Sequence, residues 1–155
     1  MKTNYLLPHT YKIWGWILLI LGVFSGIFLI IIEYETNILT VPVIAIYSDP
    51  FIGEAGFFEI IENSILDELA SIAIIVGGLI VGFSKEKIED EFIYKLRKDS
   101  LVWAIIFNYF VLIFSIVFIY DLTFFHVLVY NMFTPLLFFI IRFNFLKLKS
   151  RSHEE

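Results

Sequence analysis

Four stretches of the 155-residue chain contain no Asp, Glu, Lys or Arg: Ile13–Ile32, Leu69–Phe83, Leu101–Tyr120 and Leu122–Ile141. A helix needs roughly 20 apolar residues to cross the ~30 Å hydrocarbon layer of a bilayer. The first, third and fourth runs have 20 residues each. The second has 15 and reaches that length only when extended outward through Ile65 and Leu66. Asp67 and Glu68 then stand at the outer headgroup level. The expected architecture is an all-α membrane protein, with one four-span domain over residues 1–155. The spans fall at about 13–32, 65–83, 101–120 and 122–141.

The charges orient these spans. All 11 Lys and Arg residues lie at the N-terminus (Lys2, Lys12), between spans two and three (Lys85, Lys87, Lys95, Arg97, Lys98) or after span four (Arg142, Lys147, Lys149, Arg151). The segments on the opposite side carry nine acids and no cation. Positive residues of short loops stay cytoplasmic, so both termini are expected inside a bacterial inner membrane. Trp14, Trp16 and Trp103 lie at the cytoplasmic span ends, and Tyr34 and Tyr120 at the outer ends, where amphipathic rings favour headgroups. Span one is too long for a signal-peptide core, and no small-residue cleavage site follows it.

The connections carry their own patterns. Ile38–Tyr47 is β-branched with Pro42 inside, which predicts an extended segment over the outer end of the bundle. Pro50, Gly53 and Gly56 then break the chain. Phe58, Ile61, Ile65, Leu69 and Ile72 recur at helical spacing, which predicts one helix from about Gly56 through span two. Between spans two and three, SKEKIEDEFIYKLRKDS has no Gly or Pro, and Ile88, Phe92 and Leu96 fall four apart. A short cytoplasmic amphipathic helix is expected there, with Glu91 and Lys95 in favourable ion-pair order. Asp99 or Ser100 is the expected cap of span three. Its apolar stripe is the candidate contact surface, for a protein partner at the cytoplasmic face or for the chain's own tails.

Within the spans, small residues four apart point to close helix packing: Gly22 with Gly26, Ala73 with Gly77, and Gly78 with Gly82. Packing of spans one and two against each other is the plain reading, and a homodimer through the same faces the sharper one. Asn108 and Asn131 sit at matching depths of the antiparallel third and fourth spans. They form either a hydrogen-bonded clasp or, with Tyr109 and Tyr130, a polar layer for a small transporter or channel. Pro135 is expected to kink span four.

Several chemistries are excluded or weakened. There is no cysteine, hence no disulfide, thiolate metal site or cysteine nucleophile. No nucleophile elbow, phosphate-binding glycine loop or metalloprotease helix occurs. Spans without carboxylates argue against ion-coupled transport. Basic residues are too few and too close to the membrane for nucleic-acid binding. Asp49, Glu54, Glu59, Glu62, Asp67 and Glu68 read as a solvated acidic face. With His126, set among Phe124 and Phe125, they are the only material for a membrane enzyme. No metal or cofactor is expected, and lipid is the one certain neighbour.

The segments Glu62–Ala70 (ENSILDELA), Phe83–Ala104 (FSKEKIEDEFIYKLRKDSLVWA) and Tyr130–Asn144 (YNMFTPLLFFIIRFN) resemble small four-helix inner-membrane proteins of Bacteroidota with no known activity. That resemblance implies an inner-membrane location and an accessory or regulatory role; a non-enzymatic role through protein contacts is the leading reading, mainly because the motifs of other classes are missing. It brings no catalytic residue with it.

The absence of native cysteine allows a direct test of orientation. With single cysteines at Thr3, Ser48 or Ser152, an impermeant maleimide should label intact cells at position 48 only. Labelling at position 3 reverses the topology.

Overall fold

The structure is a computed structural model that describes residues 5–32, 39–48 and 56–151. Five helices and one hairpin follow in order: α1 (Tyr11–Ile31), β1 (Thr40–Ser48), β2 (Gly56–Ser64), α2 (Leu66–Gly82), α3 (Glu91–Phe118), α4 (Asp121–Asn131) and α5 (Thr134–Arg151). α1 and α3 are each long and apolar enough to cross a membrane. α4 and α5 meet the same test only as a pair, bent by 45°. α2 has 17 residues, at the lower limit of about 17–25 for a span. The expected breaks at Pro50 and Gly53 and the interfacial Tyr34 lie outside the described residues.

The bend in the last span has a local cause. Pro135 has no N–H to give to the carbonyl four residues back, and its ring crowds that carbonyl. That residue is Asn131, where α4 ends. Thr134 Oγ1 instead donates to the Tyr130 carbonyl at 3.5 Å. At its other end α4 starts from Asp121, whose φ of 59° lies in the left-handed region. Asp tolerates that conformation better than most residues, which suits the reversal after α3.

Two expectations fail here. Gly56–Ser64 is a strand and not the start of the α2 helix. Phe57, Phe58, Ile60 and Ile61 are strand formers, and β1 offers them backbone partners in an antiparallel register that includes Val43↔Ile61 and Ile44↔Ile60. Tyr47 and Phe57 pack across the pair with ring centroids 5.1 Å apart. Apolar spacing over so short a stretch fits either period, and the available partner decided. Pro42 is tolerated because each strand of a two-stranded sheet has a free edge. The Ile65 N–H donates to the Leu39 carbonyl, closing the hairpin directly before α2. Asp67 and Glu68 then occupy the first turn of α2, where the helix dipole favours acids.

The second failure is the separate amphipathic helix. Residues 83–90 form a non-helical connection, and helix begins only at Glu91 as the first turns of α3. Asp90 is the cap, accepting from the Ile93 N–H at 2.8 Å, in place of Asp99 or Ser100. Ile88 therefore lies outside any helix and is exposed, Phe92 is exposed on the first turn, and Leu96 packs against the core. The three do not share a face. Among the described residues no ion pair joins Glu91 to Lys95.

The core gathers Leu19, Ile74, Val81, Ala104, Phe139 and Phe143 from four helices. α2 is its axis, packing against α1 on one side and α5 on another. A Cβ at Gly77 would lie 2.5 Å from the Leu19 nitrogen, and one at Gly22 would lie 2.7 Å from the Ile74 nitrogen. Ala73 meets Gly22 at the same contact. Gly78 and Gly82 receive Leu136 and Phe139 of α5. Gly26 is different, with its nearest neighbour at 3.7 Å. Gly77→Ala should lower unfolding stability in detergent by about 1–3 kcal/mol through overpacking. Gly26→Ala should leave it unchanged or raise it slightly, because the helix prefers Ala and space is available. Equal losses at both positions would contradict this packing.

Candidate functional site

Two polar features stand out in an otherwise apolar bundle. The first closes the end that carries the cations. The N-terminal segment lies along the α2–α3 connection: the Leu7 N–H donates to Phe83 O, and the Lys85 N–H to Leu7 O, both at 2.9 Å. This brings Lys12 to Glu86. Glu86 Oε1 accepts from Lys12 Nζ and, at 3.0 Å, from Lys147 Nζ on α5. Beside them Arg97 grips Glu89 with both terminal nitrogens, at 2.5 and 3.1 Å. Glu89 also accepts the Glu86 N–H at 2.8 Å, which fixes the connection.

Phe143 stands at the centre of this cluster, with 1% of its surface exposed. Arg97, Lys147 and Lys12 lie 5.1, 5.7 and 5.8 Å from its ring centre. Cations over an aromatic face gain electrostatically, and the two carboxylates relieve the repulsion among them. Farther out, Arg142 binds Asp99 at 2.8 Å and lies over Trp103. The connection expected to meet either a partner or the chain's own tails thus packs against the chain's own first residues and last helix. Sequence reasoning saw these charges only as topological markers; their position at the membrane boundary was the available signal.

The second feature is a cavity of about 490 Å³ between the α1/α2 pair and the α4–α5 elbow. α4 packs on α3 and α5 but has no comparable contact with α1 or α2. The walls are apolar: Val23 and Ile30 of α1, Ile74 of α2, Phe133 at the elbow and Leu137 of α5. Gly26 lines the cavity too, which explains its open surroundings. Four polar side chains enter it: Asp67 and Ser71 from α2, and His126 and Tyr130 from α4. Asp67 and His126, distant in sequence, both line it. No hydrogen bond joins Asp67, Ser71 and His126 to one another, so they do not form a relay.

The asparagines behave otherwise than expected. Asn108 and Asn131 are not hydrogen-bonded to each other, and the side-chain oxygen of each is buried without a partner. Asn131 is the last residue of α4, so it does not continue the straight antiparallel span that the clasp assumed. Tyr109 is 60% exposed while Tyr130 lines the cavity, so the four do not make one polar layer. Of the outer acids, Glu59 and Glu62 lie on β2, and Asp49 and Glu54 lie outside the described residues. Among the described residues no three His, Cys, Asp or Glu side chains are grouped to hold a metal ion.

Comparison with protein-family models, curated proteins and solved structures finds no match for this chain.

The cation-rich cluster has a pH signature. Burial alone would raise the Glu86 pKa, but the hydrogen bonds and charges of Lys12 and Lys147 outweigh it and hold the group below the ordinary carboxylate range. A carboxylate depressed by folding adds stability above its unfolded pKa and loses it as pH falls through the folded value. Glu86→Gln should cost about 1–3 kcal/mol at neutral pH, because the buried Lys12 and the partly buried Lys147 ammonium groups lose their partner. The gap between variant and parent should close as pH drops below about 4.3, the unperturbed glutamate value. A gap independent of pH would remove Glu86 as the titrating group.

Proposed function

We propose that the chain is a non-enzymatic accessory protein of a bacterial inner membrane, which holds a membrane-borne molecule in its outer cavity. Its four crossings are α1, α2, α3 and the bent α4–α5 pair, and both termini are cytoplasmic. The one-sided distribution of all Lys and Arg residues supports this orientation. The cavity carries the functional reading. Its volume lies within the ~300–1,000 Å³ typical of ligand pockets, and it joins apolar walls to a few polar groups.

The cavity depends on the helix break at Pro135, a feature that costs helix stability and suits a binding protein. A catalytic reading has one point in its favour, the presence of Asp67 and His126 in one cavity. It lacks an activated nucleophile, since no base is hydrogen-bonded to Ser71 among the described residues.

In membranes, an uncharged dodecyl photoaffinity probe should label the chain saturably. The adducts should map to the cavity walls near Ile27, Ser71 and Val129. Gly26→Leu, which fills the cavity from α1, should reduce that labelling several-fold while the protein remains folded. Labelling spread evenly over the outer helix surfaces, or unchanged in Gly26→Leu, would defeat the binding role.

A further inference from the structure

We infer that the cavity selects amphiphiles with a cationic amine head and an apolar tail; this rests on the binding role proposed above. The polar groups are not scattered through the cavity. On α2, Asp67 is in the first turn, Ser71 is one turn farther in and Ile74 lies beyond. At 1.5 Å per residue, Asp67 and Ile74 are about 10 Å apart along the axis. α4 descends in the same sense, from His126 through Tyr130 to Phe133 at the elbow. The outer end therefore offers a carboxylate and an imidazole, the middle two hydroxyl-bearing side chains, and the floor only apolar surface. A guest that matches this gradient has one polar end and one apolar end.

The sign of the head follows from charge. The cavity contains a carboxylate and no Lys or Arg. The whole outer side of the chain carries nine acids and no cation. An anionic head would meet Asp67 without a counter-charge, whereas an ammonium could donate to Asp67, Ser71 and an unprotonated His126 nitrogen. Charge-assisted bonds of that type are roughly twice as strong as neutral ones.

The test is competition against the uncharged dodecyl photoprobe in membranes of zwitterionic lipid. Dodecylammonium should displace the probe at a concentration at least about tenfold below that of dodecyl sulfate, equivalent to about 1.4 kcal/mol or more. Surface charge alone would also favour the cation, so two isocharge variants separate the cases. Asp67→Asn should abolish the preference. Glu62→Gln, which removes the same charge from β2, should preserve it. Equal competition by the two detergents, or equal effects of the two variants, overturns the inference. If the uncharged probe still maps to the cavity in that event, only the head-group selectivity has failed; if it does not, the binding role has failed as well.

Discussion

The bundle is organised around the bare backbone of α2. Gly77, Gly78 and Gly82 give this helix surfaces without side chains on two sides. The α1 backbone comes close enough at Gly77 that a single methyl group would meet the Leu19 nitrogen. On the other side Leu136 and Phe139 of α5 fill the space left at Gly78 and Gly82. Where lipid surrounds helices, apolar burial gives little drive for association, and close packing takes its place. The contact at α2 sets the position of α1 and α5, and α5 in turn carries α3 through the stacked Phe107 and Phe138 rings, 4.4 Å apart.

That packing is tightest toward the cation-bearing end, where Phe139 and Phe143 run into the cluster of Lys12, Glu86, Glu89, Arg97 and Lys147. Each charged group there is nearly buried and each is paired. Buried pairs of this kind contribute little net stability but are costly to break. Their effect is to tie the start of α1, the α2–α3 connection and the far end of α5 at one point. These charges thus close one end of the bundle.

The opposite half is looser, and the reason is the break before Pro135. α4 leaves the line of α5 by 45°, and a cavity remains between it and the α1/α2 pair. The bundle is therefore asymmetric: sealed and charge-locked at one end, with a cavity of about 490 Å³ at the other. The hairpin β1–β2 continues the open half. It exposes Ile44, Phe57, Phe58 and Ile60, each by more than two thirds of its surface. An isolated two-stranded hairpin is only marginally stable in water, so its closure onto α2 through Ile65 and Leu39 matters to its persistence.

Much of this was legible in the residue order. The charge-free runs locate α1 and α2 to within a few residues, whereas α3 starts at Glu91, well before its run, and α5 continues to Arg151, well past the end of the fourth. Pro135 announces the bend, since a missing N–H has the same consequence wherever the chain goes. The spacing of Gly22, Ala73, Gly77, Gly78 and Gly82 marks helix contacts. The sequence could not determine which partner each surface meets. Gly56–Ser64 became a strand because β1 was there to pair with it. Ile88, Phe92 and Leu96 lost their common face because Glu86 and Glu89 were drawn to Lys12, Lys147 and Arg97, which holds the connection out of helix. Asp67 and His126 are 59 positions apart, and only the elbow of α4 and α5 turns them toward one cavity. Local propensity and charge are written in the order of residues, whereas pairings and cavities depend on distances across the bundle that exist only once the helices have packed.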